Sequence, residues 1–305
     1  REMGFTPEDV EKIAPEMRET KLGQYLRHPE SLRQAIAVWR GAKKHFRVNF
    51  NPQQTEQQVH AKLNWLAEPE KAYWSKIYEH GFNGQTRTRG DIKEDSVYSR
   101  LYIQSVHGIE FLALSLDAEG RPIPVASTDT ATLLFLENLT EDILKGETTP
   151  AEILKLVKVF VLPYPVGLFV EGLGPMVAND AYASAEVWES FKRDHYHSPR
   201  VVWGREVNLI LLGLSKQILA AYDDQGRMKS PMLVTYVHEL RQAQNTIAAA
   251  VEASGLKHNE LWSYKIENGK LFPSRYPASC DIQLWNLTDL AVQYSLERLY
   301  RLTHH

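Results

Sequence analysis

Cysteine is nearly absent. A single thiol, Cys280, in 305 residues excludes an internal disulfide framework, so the fold does not depend on an oxidising compartment. No apolar run approaches the roughly 18 residues of a membrane span, and no membrane association is expected. The formal net charge of -3 and the lack of a dense basic stripe argue against a nucleic-acid partner. Also missing are the phosphate-cradling GxGxxG and GxxxxGK[ST] loops, HExxH and CxxC. No GxSxG elbow marks a nucleophilic serine. Gly172-Leu173-Gly174-Pro175 reads as a turn. His195 and His197 flank Tyr196 with no third ligand in view, so no metal is expected. The chain opens on Arg1 rather than Met, as a processed product or a portion of a longer chain would. That leaves a bacterial cytoplasmic and an exported mature form both open.

Helical patterns dominate what is present. Thr6-Pro7-Glu8-Asp9 reads as a cap, a proline at the first helical position and an acidic first turn. A second helix follows His28-Pro29, and a pair of short ones spans Thr55–Leu66 and Pro69–His80. Gly81–Asp95 is a long polar loop. Ile109–Leu116 reads as either a helix end or a strand in a hairpin. Thr130–Leu144 is a helix by period, and Thr149-Pro150 caps another. Leu156–Val170, β-branched and broken by proline, is expected to be extended and buried. Asp180–Phe191 resumes the helical period. Trp203–Tyr222 is apolar on both sides, as an enclosed helix is, whereas Leu233–Val251 carries one stripe and a polar back. Trp285–Leu302 is the last helix. No domain boundary or fixed repeat stands out, so residues 1–305 read as one domain.

Two stretches carry chemistry. In His258–Trp285, Glu260 sits beside Trp262 and Tyr264, with Gln283 and Trp285 further on. Aromatic rings stack on sugar faces, and a half-buried carboxylate can act as general acid or base. The competing reading makes Asn259-Glu260 a helix entry. The second stretch, Asp194 to Glu206, is a polar and aromatic loop leading into the enclosed helix. Either it builds a site or Tyr196 and Trp203 plug the helix start.

These stretches resemble a known family. Tyr196-His-Ser-Pro-Arg-Val-Val-Trp203 is similar to the YHG-(S/T)-VVW signature of glycogen-debranching, amylo-α-1,6-glucosidase-like glycoside hydrolases of the (α/α)6 six-hairpin superfamily. His258-Asn-Glu-Leu-Trp-Ser-Tyr264 resembles that family's ELWSW segment, and Cys280-Asp-Ile-Gln-Leu-Trp-Asn286 its QLW segment. Phe111–Ile123 followed by Ala126-Ser-Thr-Asp129, and Val166–Asn179, fit the segments upstream. The chain departs from the pattern at Ser198-Pro199-Arg200, which replaces a glycine and lengthens the loop by a residue.

The resemblance implies an all-α (α/α)6 toroid, complete or lacking its N-terminal side, with a few short strands in loops. It implies an inverting glycoside hydrolase acting on an α-linked glucoside or oligosaccharide, without cofactor. Glu260 would be the general base. Tyr196, His197, Trp203, Glu206, Trp262, Gln283 and Trp285 would hold the sugar. Inversion also needs an opposing acid about 6.5–9.5 Å away, for which Asp91, Glu94 and Asp95 are the candidates. One alternative is a non-catalytic sugar binder that has lost the acid. Another is an epimerase or polysaccharide lyase relying on His195, Tyr196 and His197.

Overall fold

The computed structural model describes residues 44–82, 108–194, 196–277, 279–280 and 288–303. The chain divides into two compact units, Arg1–Arg47 and Val48–His305.

The second unit is a mixed α/β assembly. In chain order come β1 (Arg47–Phe50), α1 (Pro52–Trp65), α2 (Glu70–Phe82), β2 (Ile109–Leu116), β3 (Pro122–Ser127) and a 3-10 turn (Thr128–Thr130). Then come α3 (Ala131–Leu136), α4 (Leu139–Lys145), α5 (Pro150–Val161), β4 (Phe169–Val170), β5 (Gly174–Pro175) and β6 (Ala178–Asn179). The last are α6 (Ala185–Phe191), β7 (Val202–Trp203), α7 (Gly204–Ala220), α8 (Leu233–Ser254), β8 (Leu261–Glu267), β9 (Lys270–Arg275) and α9 (Thr288–Thr303). Among the described residues the strands form three sheets, ordered β1-β2-β3-β6, β4-β5 and β7-β8-β9.

The expected all-α toroid is therefore corrected: helices pack around and beside antiparallel sheets. The difference originates in segments where strand and loop signals compete with helical periodicity. In Leu261–Arg275 the alternating run is interrupted by Asn268-Gly269, both at positive φ (52° and 69°). That dipeptide closes a two-residue hairpin with Glu267 opposite Lys270 and Trp262 opposite Arg275. Ile109–Leu116 takes the strand alternative, pairing with β3. The Leu156–Val170 expectation fails in the other direction: residues through Val161 belong to α5, whose cap Thr149 accepts from Glu152 N–H at 3.3 Å.

Helix α1 starts where Asn51-Pro52 directs it. Asn51 Oδ1 accepts from Gln54 N–H at 2.8 Å, Gln54 Oε1 accepts from Asn51 N–H at 3.0 Å, and proline takes the first helical position. One turn is used twice. Asp117 and Asp223 each accept from two backbone N–H groups and from the Nε of the arginine four residues on, Arg121 or Arg227. Gly120 and Gly226 supply the positive φ that both turns require.

The core centres on α7, which packs against α3, α8 and α9. Val207, Ile210, Leu211, Leu214 and Ile218 are all buried, as a helix apolar on two sides demands. Its approach to α3 is close enough that a Cβ on Gly213 would stand 2.7 Å from Leu134 Cβ and 3.0 Å from the Phe135 nitrogen. No described helix is long and apolar enough to cross a membrane.

Candidate functional site at the start of helix α7

The N-terminal turn of α7 is fixed from two directions. Strand β7 pairs with β8, Val202 opposite Trp262 and Trp203 opposite Leu261. One residue on, Gly204 N–H donates to Glu260 O at 2.9 Å. Glycine is required there, because a Cβ would meet Asn259 O at 2.8 Å. The strand therefore delivers Trp203, Arg205 and Glu206 to one place.

The loop before β7 folds around Asp194. Its Oδ1 accepts from Tyr196 N–H at 2.8 Å and His197 N–H at 2.9 Å, and its Oδ2 lies 3.0 Å from His197 Nδ1. Burial raises the Asp194 pKa, but the bonds from His197 and Tyr196 outweigh it, and the net direction is downward. The turn places both rings over Trp203: Tyr196 has its centroid 6.4 Å away and His197 6.3 Å away, each edge-on. Arg205 stacks its guanidinium 5.4 Å from the Trp203 ring. Tyr196 is 42 % exposed, so this aromatic group reaches solvent.

Beneath it lies Glu206, 1 % exposed. Its Oε1 takes a bond from Arg205 Nη1 at 2.6 Å, while its Oε2 is buried with no partner among the described residues. The Trp203 indole N–H is likewise buried with no partner among the described residues. Burial pushes the Glu206 carboxyl up to about 7, helped by the negative charge of Asp129 and opposed by Arg205 and His197. Near neutrality this acid therefore holds its proton in a large fraction of molecules. Asp129 is exposed on the 3-10 turn, where Ser127 Oγ accepts its backbone N–H at 3.1 Å.

The structure brings together Tyr196, His197, Trp203 and Glu206, whereas the side chains of Glu260 and Trp262 are committed to backbone partners elsewhere. Glu260 is buried, and its Oε2 accepts from Cys280 N–H at 3.0 Å. Its backbone N–H donates to Cys280 O at 3.3 Å and its carbonyl caps α7. Trp262 is fully buried and donates to Leu173 O at 3.0 Å, which makes it a core residue. Asp91, Glu94, Asp95, His195, Gln283 and Trp285 lie outside the described residues. No cluster of metal-ligating side chains occurs among the described residues.

Sequence reasoning does not select Arg205 or Asp129. Arg205 has a usable signal, a cation between an aromatic strand residue and an acid at a helix start. Asp129 enters only as the end of the Ala126-Ser-Thr-Asp129 segment of the resemblance, with no role attached to it.

Compared with known proteins, the chain matches no family model, no curated protein and no solved structure. Together with the antiparallel sheets, this overturns membership of the six-hairpin glycosidase family. Of the motif segments, Leu261–Tyr264 lies in the β8-β9 hairpin and Val202-Trp203 in β7, where the toroid would have loops between helices.

Proposed function

We propose that the start of α7 is an acid–base site acting on a carbohydrate, and that the reaction is hydrolysis of a glycosidic bond. One observation carries this reading: Glu206 is a buried carboxyl whose second oxygen has no partner among the described residues, in contact with Arg205 and next to an aromatic group. A carboxylic acid that keeps its proton near pH 7 is what protonation of a departing glycosidic oxygen needs. Trp203 and Tyr196 offer ring surface for a sugar face, and the indole N–H, which has no partner among the described residues, offers a donor to a hydroxyl.

The proton on Glu206 goes to the leaving oxygen as the bond to the anomeric carbon breaks. Water adds at that carbon, and its proton passes to a carboxylate, for which Asp129 is the nearby candidate. Glu206 is 1 % exposed, so a leaving oxygen can reach it only after a neighbouring side chain moves, for which the half-exposed Arg205 bonded to Oε1 is the candidate. In this reading Glu260 holds the hairpin against the helix start.

The test is proton NMR of the protein with a panel of α- and β-linked oligosaccharides, beside Glu206→Gln. The expected result is release of reducing sugar, slowed roughly a hundredfold or more by the substitution, the scale of general acid catalysis. Full activity in Glu206→Gln would remove the acid from its role. Binding of oligosaccharide with no turnover in the unmodified protein would replace hydrolysis with non-catalytic sugar binding.

A further inference from the structure

A second polar seat adjoins the first. Asp194, Ser198, Pro199 and Arg200 of the loop before β7 line a cleft of about 510 Å³, whereas Tyr196, His197, Trp203 and Glu206 do not. Its volume falls in the range of small-molecule sites.

At the cleft stand Lys62 from α1 and Asp180 from the turn before α6, with side chains 2 % and 1 % exposed. Lys62 Nζ donates to Asp180 Oδ2 at 2.9 Å, and Asp180 Oδ1 is buried with no partner among the described residues. The ammonium lies 4.2 Å from the Trp65 ring centroid and 5.0 Å from that of Trp188. Trp188 is itself pinned by its N–H to Asp180 O at 2.7 Å. Trp74 and Tyr164, ring centroids 4.8 Å apart, continue the aromatic lining.

A buried ion pair is costly unless its remaining hydrogen-bonding capacity is filled. Here one carboxylate oxygen is unfilled, and an ammonium with three N–H donors meets a single acceptor among the described residues, Asp180 Oδ2. We infer that this cleft binds a neutral, hydroxyl-rich ligand, a sugar or sugar-like polyol. One hydroxyl would donate to Asp180 Oδ1, a neighbouring oxygen would accept from Lys62, and the ring faces would rest on the tryptophans.

The charges at the cleft favour a neutral ligand over an ionic one. Each of three cations is already matched by an acid: Lys62 by Asp180, Arg200 by Glu70 and Lys192 by Glu189. An added anion would stand beside the carboxylates of Asp180, Glu70 and Asp194, and an added cation beside Lys62, Arg200 and Lys192, in each case leaving a net charge unmatched. Saturated hydroxyl groups need only the vacant capacity, and flat aromatic surface complements the C–H face of a pyranose. None of these groups is Glu206, so sugar binding in the cleft does not depend on hydrolysis at α7.

Isothermal titration of the full chain with D-glucose, D-galactose, maltose and myo-inositol tests this, with glucuronate and glucosamine as charged comparators. At least one neutral ligand should bind, with charged analogues weaker. Asp180→Asn should weaken binding roughly tenfold or more, the scale of one hydrogen bond to a charged group. Trp65→Ala, at a partly exposed wall position, should weaken it comparably and guards against a folding defect in the Asp180 variant. Glu206→Gln should leave it unchanged.

Failure of every neutral ligand to bind, or tighter binding of a charged analogue, would overturn the inference. Binding that survives Asp180→Asn and Trp65→Ala but is lost in Trp203→Ala would place the sugar at the start of α7. That outcome would also overturn the inference while leaving the proposed function standing.

Discussion

Gln217 on α7 receives the backbone N–H of Thr140 at 2.9 Å, and its own amide donates to Leu134 O at 2.7 Å and Glu137 O at 2.8 Å. One fully buried side chain thereby fills three backbone groups freed where α3 ends and α4 begins. Thr140 Oγ1 returns a bond to Gln217 O at 2.8 Å. Gln217→Leu keeps the volume and removes all three partners. It should lower unfolding free energy by about 2–4 kcal/mol, since each orphaned buried group costs ~1–3 kcal/mol and water reaches some of them. Urea denaturation measures the change, and a loss below about half a kcal/mol, the low end for a single hydrogen bond, would show that the break does not need this residue.

Gly213→Ala sets helix propensity against packing. In an exposed helix the change would gain about 1 kcal/mol. Here the new methyl would sit 2.7 Å from Leu134 Cβ and 3.0 Å from a backbone nitrogen, so α3 must move. The net effect should be a loss of about 1–3 kcal/mol, the usual cost of overpacking. A rise in thermal midpoint would contradict the close contact between these helices.

Long helices are readable because burial on a helix has a period. Trp203–Tyr222 becomes Gly204–Ala220, and Leu233–Val251 becomes Leu233–Ser254. The expected single helix Thr130–Leu144 splits at Glu137-Asn138, because Gln217, distant in sequence, supplies hydrogen bonds that a continued helix would have supplied itself. Glu260 carries the right composition for a catalytic acid or base, but its side chain is committed to the backbone of Cys280. That partner lies far along the chain and leaves no trace in the local pattern. Lys62 and Asp180 could not be paired by spacing at all. Only the aromatic character of their neighbours is visible in the sequence.

The hairpin β8-β9 is the element whose signal is present and outweighed. Asn268-Gly269 between alternating runs is a two-residue turn with both residues at positive φ. Gly269→Ala meets open space, since nothing lies within 4 Å of a Cβ there. Its cost, about 1 kcal/mol, is therefore backbone strain alone. Asn268→Gly should be close to neutral. Thermal unfolding of the two variants separates these cases, and equal destabilisation would argue against the turn type.

Glu206 should impose a pH dependence on stability. Its folded-state pKa of about 7 lies above the ordinary value of 4.5. Between those limits the native state holds a proton that the unfolded chain has lost, so stability falls as pH rises through this window and is level above it. The loss attached to this group is of the order of 3 kcal/mol at most, from the size of the shift. Glu206→Gln should remove that slope and be the more stable protein on the alkaline side of the window. Denaturation series spanning the window compare the two, and parallel curves would mean that the carboxyl ionises at its ordinary value.

The Lys62–Asp180 pair separates a requirement of the fold from a requirement of binding. Burial lowers the Lys62 pKa and raises that of Asp180, while each partner's charge opposes the shift of the other. Lys62→Met removes the compensation and leaves a carboxylate sealed among tryptophans. Stability in mildly alkaline buffer should fall by about 3–5 kcal/mol, the usual result of breaking a buried pair. Asp180 can escape the penalty by taking a proton, so the loss should shrink as the buffer is made acidic. Replacing both partners, Lys62→Met with Asp180→Leu, removes the charge and should restore most of the stability. A double variant that folds well and still binds sugar in the cleft would make the pair a packing device. One that folds well and binds none would tie the retained charges to the ligand, because hydrophobic side chains would by then have met every demand of the core.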